Sequence, residues 1–458
     1  MLCRASPGPG ARLQSGGAAN VRERLNSGVA QATALLRSRL RSFLLTERAF
    51  RYTMNVMVVP GYAQFGGKHC ETGSLKNVLA YLGVTAPHTG EPFSEELLLG
   101  IGGGIGMSYW LFQFGNAAFF FVGTRYGEKG PGSLFQEQIA ARLGLKTVVR
   151  ETASAKRGAA DLEASLGAGR PVVAWVDMPM LPYLGLPPQA HFGGHSIVVY
   201  GLENGRALIA DRSRAPMSAT AAELAEARAS KFKPYPPKHR LMEVAPARAP
   251  ISAQTLERAV LRGIGDTCRH LLRGPIKNIG LQALPKWAGL LTDEKNPKGW
   301  PKVFRKPVDL YGALLNAYIF IEIGGTGGSA FRPMYAAFLC EAGHVLKEPR
   351  LEEAARLYRE CGRLWSEAAR AALPDWAPEL RETRELLARK NRIFEQEGDL
   401  GKMLEVNRRL DEILAGAKKR FPAPPGAVPE VLEGLRQSVL RVYEAEMKAA
   451  KYLEACIQ

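Results

Sequence analysis

Apolar residues at Leu75, Val78, Leu79 and Leu82 recur three and four positions apart, and Gly83 follows directly. Such spacing puts one stripe of a helix against a core and closes it with a C-terminal glycine, so a helix starts just after Cys70. A different pattern runs through PVVAWVDMPM (171–180), HSIVVYGLE (195–203) and ALIADR (207–212), which are continuous or alternating apolar segments rich in β-branched residues. These read as strands, and Asn204-Gly205 between the last two reads as a two-residue hairpin turn. Residues 54–245 are therefore α+β. A proline-rich passage, KPYPPKHR followed by APARAPISAQ, marks a linker or surface connection between about 233 and 252. Beyond it LEEAARLYRECGRLWSEAARAAL, LRETRELLARKNRIFEQEG, LGKMLEVNRRLDEILAG and VLEGLRQSVLRVYEAEMKAAKYLEACI carry apolar stripes with charged opposite faces. No period repeats across them, which excludes a solenoid. The division is a basic extension over 1–53, an α+β domain over 54–248 and an all-helical domain over 249–458.

At 458 residues, with 46% hydrophobic and 23% charged, the chain has material for a sizeable core. The apolar run around Ala117 to Val122 is far shorter than the ~20 residues of a membrane-spanning helix. Six cysteines lie far apart without a CxxC pair, so they read as reduced thiols in a cytoplasmic protein, and no Cys/His cluster has zinc-site spacing. The formal charge of +17 calls for an acidic partner. Part of it sits in residues 1–53, which hold nine arginines, no lysine and only Glu23 and Glu47. That segment reads as a weakly ordered or helical extension rather than a transit peptide, with Met54 or Met57 opening the folded part. No nucleic-acid module accompanies the charge, so nucleic acid is not the expected partner.

Chemistry gathers at QFGGKHCETGSL, residues 64–75. A thiolate is the attacking form of cysteine, and a helix N-terminus favours it with unpaired N–H groups and a positive dipole end. Cys70 occupies such a position. A base and a group to orient it are needed next, and folding at Asn204-Gly205 brings His195, which opens one strand, to the same end as Asp211, which closes the other. Pairing outward from that turn sets Asp211 level with Ile197 or Val199 only after a one-residue bulge. His191 competes with His195 for the role of base. Gln64, six positions before Cys70, offers a side-chain amide for an oxyanion, with the Cys70 N–H as a second donor.

This order, Gln-x5-Cys at a helix start and then His and Asp far downstream, resembles papain-like cysteine enzymes, nearest the double-glycine peptidases that process bacteriocins. GGKHCETGSLKNVLAYLG, FSEELLLGIGGGIGMSYW, HSIVVYGLE with ALIADR, and IEIGGTGGSAFRPMYAAFLCEAG resemble the butirosin biosynthesis protein H family more specifically, over roughly residues 60–360. The resemblance implies a papain-like catalytic domain over 54–248, with the helical domain covering or supporting the site. It also implies an acyltransferase that moves an acyl group from an acyl carrier protein, or coenzyme A, to a small-molecule amine in specialised metabolism. Carried over, Cys70 takes the acyl chain, His195 moves the proton, Asp211 orients His195 and Gln64 helps hold the oxyanion. The donor is a phosphopantetheine thioester, and no bound cofactor or metal is expected. An acidic carrier protein accounts for the basic charge.

The remaining candidates are substrate-facing. His69 and Glu71 flank the thiol, and His69 faces either substrate or scaffold. GIGGGIG (100–106) lacks the GxGxxG spacing and follows the helical SEELLL, which excludes a dinucleotide loop. It reads instead as a loop at Gly104 lining a pocket walled by Tyr109 and Trp110. GGTGGSAFRP (324–333) leads into a helix, and Thr326 and Arg332 there are candidates for holding the pantetheine phosphate, the alternative being a helix-packing turn. A peptidase or amidase with the same triad, or an inactive scaffold, are the alternatives for the whole chain. The oligomeric state is open.

Overall fold

The computed structural model describes residues 56–114, 117–125, 135–233, 235–246 and 249–458. The extension expected over residues 1–53, and Met54, lie outside them. The first helix of the described residues, α1 (Cys70–Tyr81), buries Leu75, Val78 and Leu79 and ends at Leu82, where Gly83 turns the chain with φ +68°. A short α2 (Glu95–Ile101) follows, capped by the Ser94 side chain on the Leu97 N–H.

Among the described residues seven strands form one antiparallel sheet. They are β1 (Met57–Val58), β4 (Thr147–Arg150), β5 (Val172–Val176), β6 (His195–Glu203), β7 (Arg206–Ala210), β8 (Met217–Thr220) and β9 (Leu241–Val244). Neighbours run β4-β9-β5-β6-β7-β8, and β1 pairs with β6. A separate hairpin joins β2 (Ser108–Phe114) and β3 (Ala117–Gly123). The proline-rich passage expected as a linker contains β9, which pairs with both β4 and β5. All four β9 residues are buried, and Glu243 among them is neutralised by Arg150 and Arg170. Helices α3 (Phe135–Arg142), α4 (Ala155–Gly167) and α5 (Ala221–Ala229) fill the connections.

From residue 253 on the described chain is helical: α6 (Ala253–Leu272), α7 (Ala283–Thr292), α8 (Trp300–Val303), α9 (Pro307–Tyr318), α10 (Arg332–Leu346), α11 (Arg350–Ala372), α12 (Pro378–Gln396), α13 (Leu400–Ala417) and α14 (Val428–Cys456). A π-helical turn, Ile319–Ile323, extends α9. Trp287, Trp300 and Trp365 are fully buried here.

The two halves interlock within one compact unit running from Asn55 to Gln458. Gly100 on α2 has no Cβ, and one would lie 2.2 Å from the Phe338 ring of α10, so the two helices approach only because that position is glycine. The β2–β3 hairpin is pinned to the helical half, with Tyr109 N donating to Asn278 O at 2.9 Å and Gly280 N to Met107 O at 2.8 Å. Among the described residues no helix is long and apolar enough to cross a membrane.

Candidate active site

The approach to Cys70 is held by a carboxylate that local pattern alone did not single out. Glu95, the first residue of α2 and only 6% exposed, accepts from Lys68 N at 2.8 Å, His69 N at 3.2 Å and Thr72 Oγ1 at 3.1 Å. Asn77 Nδ2 fixes the same loop through Gly66 O, and Gly67 N donates to Arg212 O at 3.1 Å, which ties the loop to the end of β7. His69 caps α1 with extended φ/ψ, its Nδ1 accepting from Thr72 N at 3.4 Å. Its Nε2 faces Glu71 Oε2 at 3.3 Å, and an Nε2–H tautomer satisfies both contacts. Cys70 is thus the first helical residue, where its N–H has no carbonyl one turn earlier to bond.

The hairpin delivers the other two groups. β6 and β7 pair from Glu203↔Arg206 through Gly201↔Leu208, then Val199↔Ile209 and Val198↔Ala210, so Tyr200 is an unpaired bulge residue. The Asn204-Gly205 turn has both residues at positive φ, as a type I′ turn requires. Counting from that turn without the bulge, Asp211 comes level with Val198; with it, Asp211 comes level with Ile197. Because side chains alternate across a strand, only the bulged register sets Asp211 on the face that His195 and Ile197 share.

His195 Nε2 lies 2.9 Å from Asp211 Oδ2, both side chains being buried. Asp211 is held in turn by the Tyr183 hydroxyl at 3.1 Å and by Arg212 N at 2.7 Å. With Nε2 so engaged, Nδ1 is the nitrogen left for Cys70, with which His195 shares a hydrogen bond. Ser74 Oγ, one turn along α1, donates to Ser196 O at 3.3 Å and locks helix and strand together.

Electrostatics favour the charged pair. Burial alone pushes the Cys70 thiol up, but the hydrogen bond with His195 and the charge of that imidazolium outweigh it and bring the thiol down to about 7. Burial pulls His195 down, and Asp211 overrides it, raising the imidazole to about 10. Asp211 is held below the usual carboxylate range against its burial, chiefly by His195. Cys70 as a residue keeps intermediate exposure.

The other sequence candidates divide. His191 does not join the cluster: its Nδ1 bonds Asp177 Oδ2 at 2.8 Å and its ring lies flat on Phe232. Gln64 sits in the approach loop, half-exposed, with no hydrogen-bond partner for its amide among the described residues. Glu71 pairs with Arg125 and His69 beneath the helix start, and Arg125 lies over the Phe135 ring.

Gly104 is not a pocket floor. A Cβ there would stand 2.8 Å from the Tyr335 ring, and the space is already packed. Tyr109 is a core residue rather than a wall, 1% exposed, stacked on Trp287 and accepting from Trp300 Nε1 at 3.0 Å. Trp110, next along β2, is half-exposed and stacks on Phe112. Thr326 closes its own loop through Ile321 O and Gly328 N.

Arg332 overturns the phosphate assignment. It is fully buried, its guanidinium donating to Glu446 Oε1 at 2.6 Å, Ala330 O at 2.6 Å, Gly106 O at 3.2 Å and Thr124 O at 3.4 Å. No face of it is left for an anion, so this loop is a packing turn. Among the described residues no group of three or more His, Cys, Asp or Glu is placed to hold a metal ion.

An α+β scaffold that sets a partly exposed cysteine at a helix mouth, hydrogen-bonded to a histidine gripped by a buried aspartate, defines a protein built around a Cys-His-Asp constellation. Residues 69–212 match the family model described as butirosin biosynthesis protein H, N-terminal, a span that encloses all three residues. Residues 222–404 match a domain of unknown function, DUF4872. The chain therefore carries a domain of the butirosin biosynthesis protein H family over the residues of the site. Comparison with the curated proteins finds no match.

Proposed function

We propose that the protein is a cysteine-dependent acyltransferase of biosynthesis that moves an acyl group from a thioester to an amine. The observation that carries the reading is the Cys70–His195–Asp211 arrangement, in which the thiol is lowered to about 7 and the residue keeps intermediate exposure. The match of residues 69–212 to a family model described by a biosynthetic protein supports transfer over peptide hydrolysis.

In the first half-reaction the Cys70 thiolate attacks the thioester carbonyl carbon. A tetrahedral oxyanion forms, with the Cys70 N–H and the Gln64 amide as its proposed donors. The donor C–S bond breaks, and the departing thiolate takes the proton of the His195 imidazolium. Neutral His195 then removes a proton from the incoming amine as nitrogen attacks the acyl-Cys70 carbonyl, and Cys70 leaves as thiolate beside a re-formed imidazolium. Asp211 fixes the ring so that Nδ1 faces the reacting sulfur in both halves. The scheme needs no metal or nucleotide, because exchanging a thioester for an amide is downhill. The helical half, packed against α2 and the β2–β3 hairpin, is the part proposed to keep water from the intermediate.

Intact mass after mixing the protein with an acyl thioester tests this directly. An adduct of one acyl group on the wild type, absent from Cys70→Ser and discharged as an amide by added amine, is the expected result. Discharge as free acid with amines ignored identifies a hydrolase, and no adduct at all leaves a non-catalytic scaffold.

A further inference from the structure

Asp211 is also gripped by a segment that the acyl-transfer scheme leaves unused. The chain from Asp177 to Gly185 runs through two successive 3-10 turns, with Leu181 N donating to Met178 O at 3.1 Å and Gly185 N to Pro182 O at 3.0 Å. Its start is fixed by Asp177, fully buried, which accepts from Phe192 N at 2.8 Å and Ser230 Oγ at 2.6 Å and pairs with His191. Leu181 and Leu184 are buried, which makes the segment a stiff strap. Tyr183 lies within it, 6% exposed, and its hydroxyl donates to Oδ2 of Asp211, the oxygen that also receives His195 Nε2.

The strap ends on the helical half. Gly185 O accepts from Lys390 Nζ of α12 and from Asn407 Nδ2 of α13, each at 2.7 Å. Burial pulls the Lys390 amine down to about 8 against the field of Asp411, so an ammonium gives up solvation to hold this carbonyl. Gly185 has φ +54°, and a Cβ there would stand 3.3 Å from the Leu400 side chain at the start of α13.

The same helix α12 holds the chain just after Asp211. Arg214 N donates to Glu395 O at 2.8 Å, the Glu395 carboxylate lies 3.6 Å from Arg212, and the Arg212 guanidinium lies over the Phe394 ring. Arg212 N in turn donates to Asp211 Oδ1 at 2.7 Å. Both oxygens of Asp211 are thus held by groups tied to α12, Oδ2 through Tyr183 and Gly185 and Oδ1 through Arg212. A carboxylate turns easily about its last bond, so donors on different oxygens fix the plane in which Oδ2 meets the imidazole.

We propose that the α12–α13 pair is a buttress for the carboxylate of the triad, and that Tyr183 is the positioning residue through which it acts. The helical half then sets the reactivity of Cys70, and the domain of unknown function over residues 222–404, which includes Lys390 and Glu395, has a part in the chemistry. The proposal rests on the Cys70–His195–Asp211 arrangement and holds whether the acyl group passes to an amine or to water.

The test follows Cys70 alkylation by iodoacetamide against pH in the full chain. The variants are Tyr183→Phe, Lys390→Met/Asn407→Leu, and all three changes together. Without the hydroxyl the carboxylate turns and holds the imidazolium less well, so the Cys70 midpoint rises in Tyr183→Phe by about half a unit or more, roughly a threefold slower rate below the midpoint. Untying Gly185 raises the midpoint in the wild-type background and leaves it unchanged in the Tyr183→Phe background, where the strap has no hydroxyl to move. Urea unfolding separates this from packing, because the stability lost on untying Gly185 is the same in both backgrounds while the midpoint shift is not. Tyr183→Phe adds no polar group to the interior and decides the matter alone should the untied chain unfold. An unchanged midpoint in Tyr183→Phe, or a lowered one, as follows if the hydroxyl only competes with His195 for Oδ2, overturns the positioning role. Equal shifts on untying in both backgrounds overturn the route through Tyr183. A wild-type midpoint near 9 removes the triad and the buttress with it, whereas a midpoint that Asp211→Asn raises and these variants leave alone removes the buttress only.

Discussion

The most direct consequence of the site geometry concerns Asp211→Asn. The carboxylate holds the imidazolium of His195, and the imidazolium holds the thiolate of Cys70; removing the negative charge while keeping the shape breaks that sequence at its far end. Without Asp211 the burial of His195 pulls the ring down, the cation beside the sulfur is lost, and the thiol moves up from about 7 towards the ordinary 9.0. Two units correspond to about 3 kcal/mol of preference for the thiolate. Thiolate is the alkylated form, so the rate with iodoacetamide rises with pH through the midpoint and levels off above it. At pH 7 the thiolate fraction is about one half in the wild type and about one hundredth for an ordinary thiol, which bounds the fall in rate at roughly 50-fold. We expect the variant midpoint to rise by more than one unit and its rate at pH 7 to drop at least about tenfold, with convergence on the wild type near pH 10. Rates are read by peptide mass at Cys70, since Cys340 is also partly exposed, and Cys70→Ser supplies the blank. Cys268, Cys361 and Cys456 are buried with their thiols pushed up, and stay slow. A wild-type midpoint near 9, or the same midpoint in both proteins, would refute the coupling.

Arg332→Met strands Glu446 as a buried charge and is expected to cost about 3–5 kcal/mol in urea unfolding, most of it recovered in Arg332→Met/Glu446→Leu; a loss of donor affinity in the double variant with its stability restored would return Arg332 to a binding role. Glu95→Gln weakens the charge-assisted bonds from Lys68 N and His69 N, so stability falls by about 1–3 kcal/mol and Cys70 alkylates more slowly at pH 7. An unchanged rate would show that the approach loop needs no carboxylate. His69→Ala removes the helix cap and should lower the melting temperature by an amount equivalent to about 1 kcal/mol; an unchanged melting temperature would show that the cap contributes nothing.

What the sequence discloses about this molecule is what lies within a few residues of the feature concerned. The start of α1 at Cys70, the limits of β6 and the amphipathic helices beyond residue 350 follow from periodicity and turn chemistry, both local. β9 was hidden because its four residues sit among prolines and its pattern is buried on both faces, with Glu243 interrupting it at a position only Arg150 and Arg170 explain. The β2–β3 hairpin escaped for a related reason: Phe119, Phe120 and Phe121 read as one apolar block, although Phe120 is buried and Phe119 is 44% exposed. Arg332 looked like an anion ligand since glycines precede it, and its true partner is 114 residues away. Glu95 did leave a trace, as an acid in the first turn after a Ser cap, but nothing local says that its carboxylate turns back to Lys68 and His69. The bulge at Tyr200 shows the limit most sharply. Local reading supplied the two strands, the turn and both side chains, and left undecided a single unpaired residue. That residue sets which face Asp211 occupies, and therefore whether His195 has a carboxylate to hold it at all.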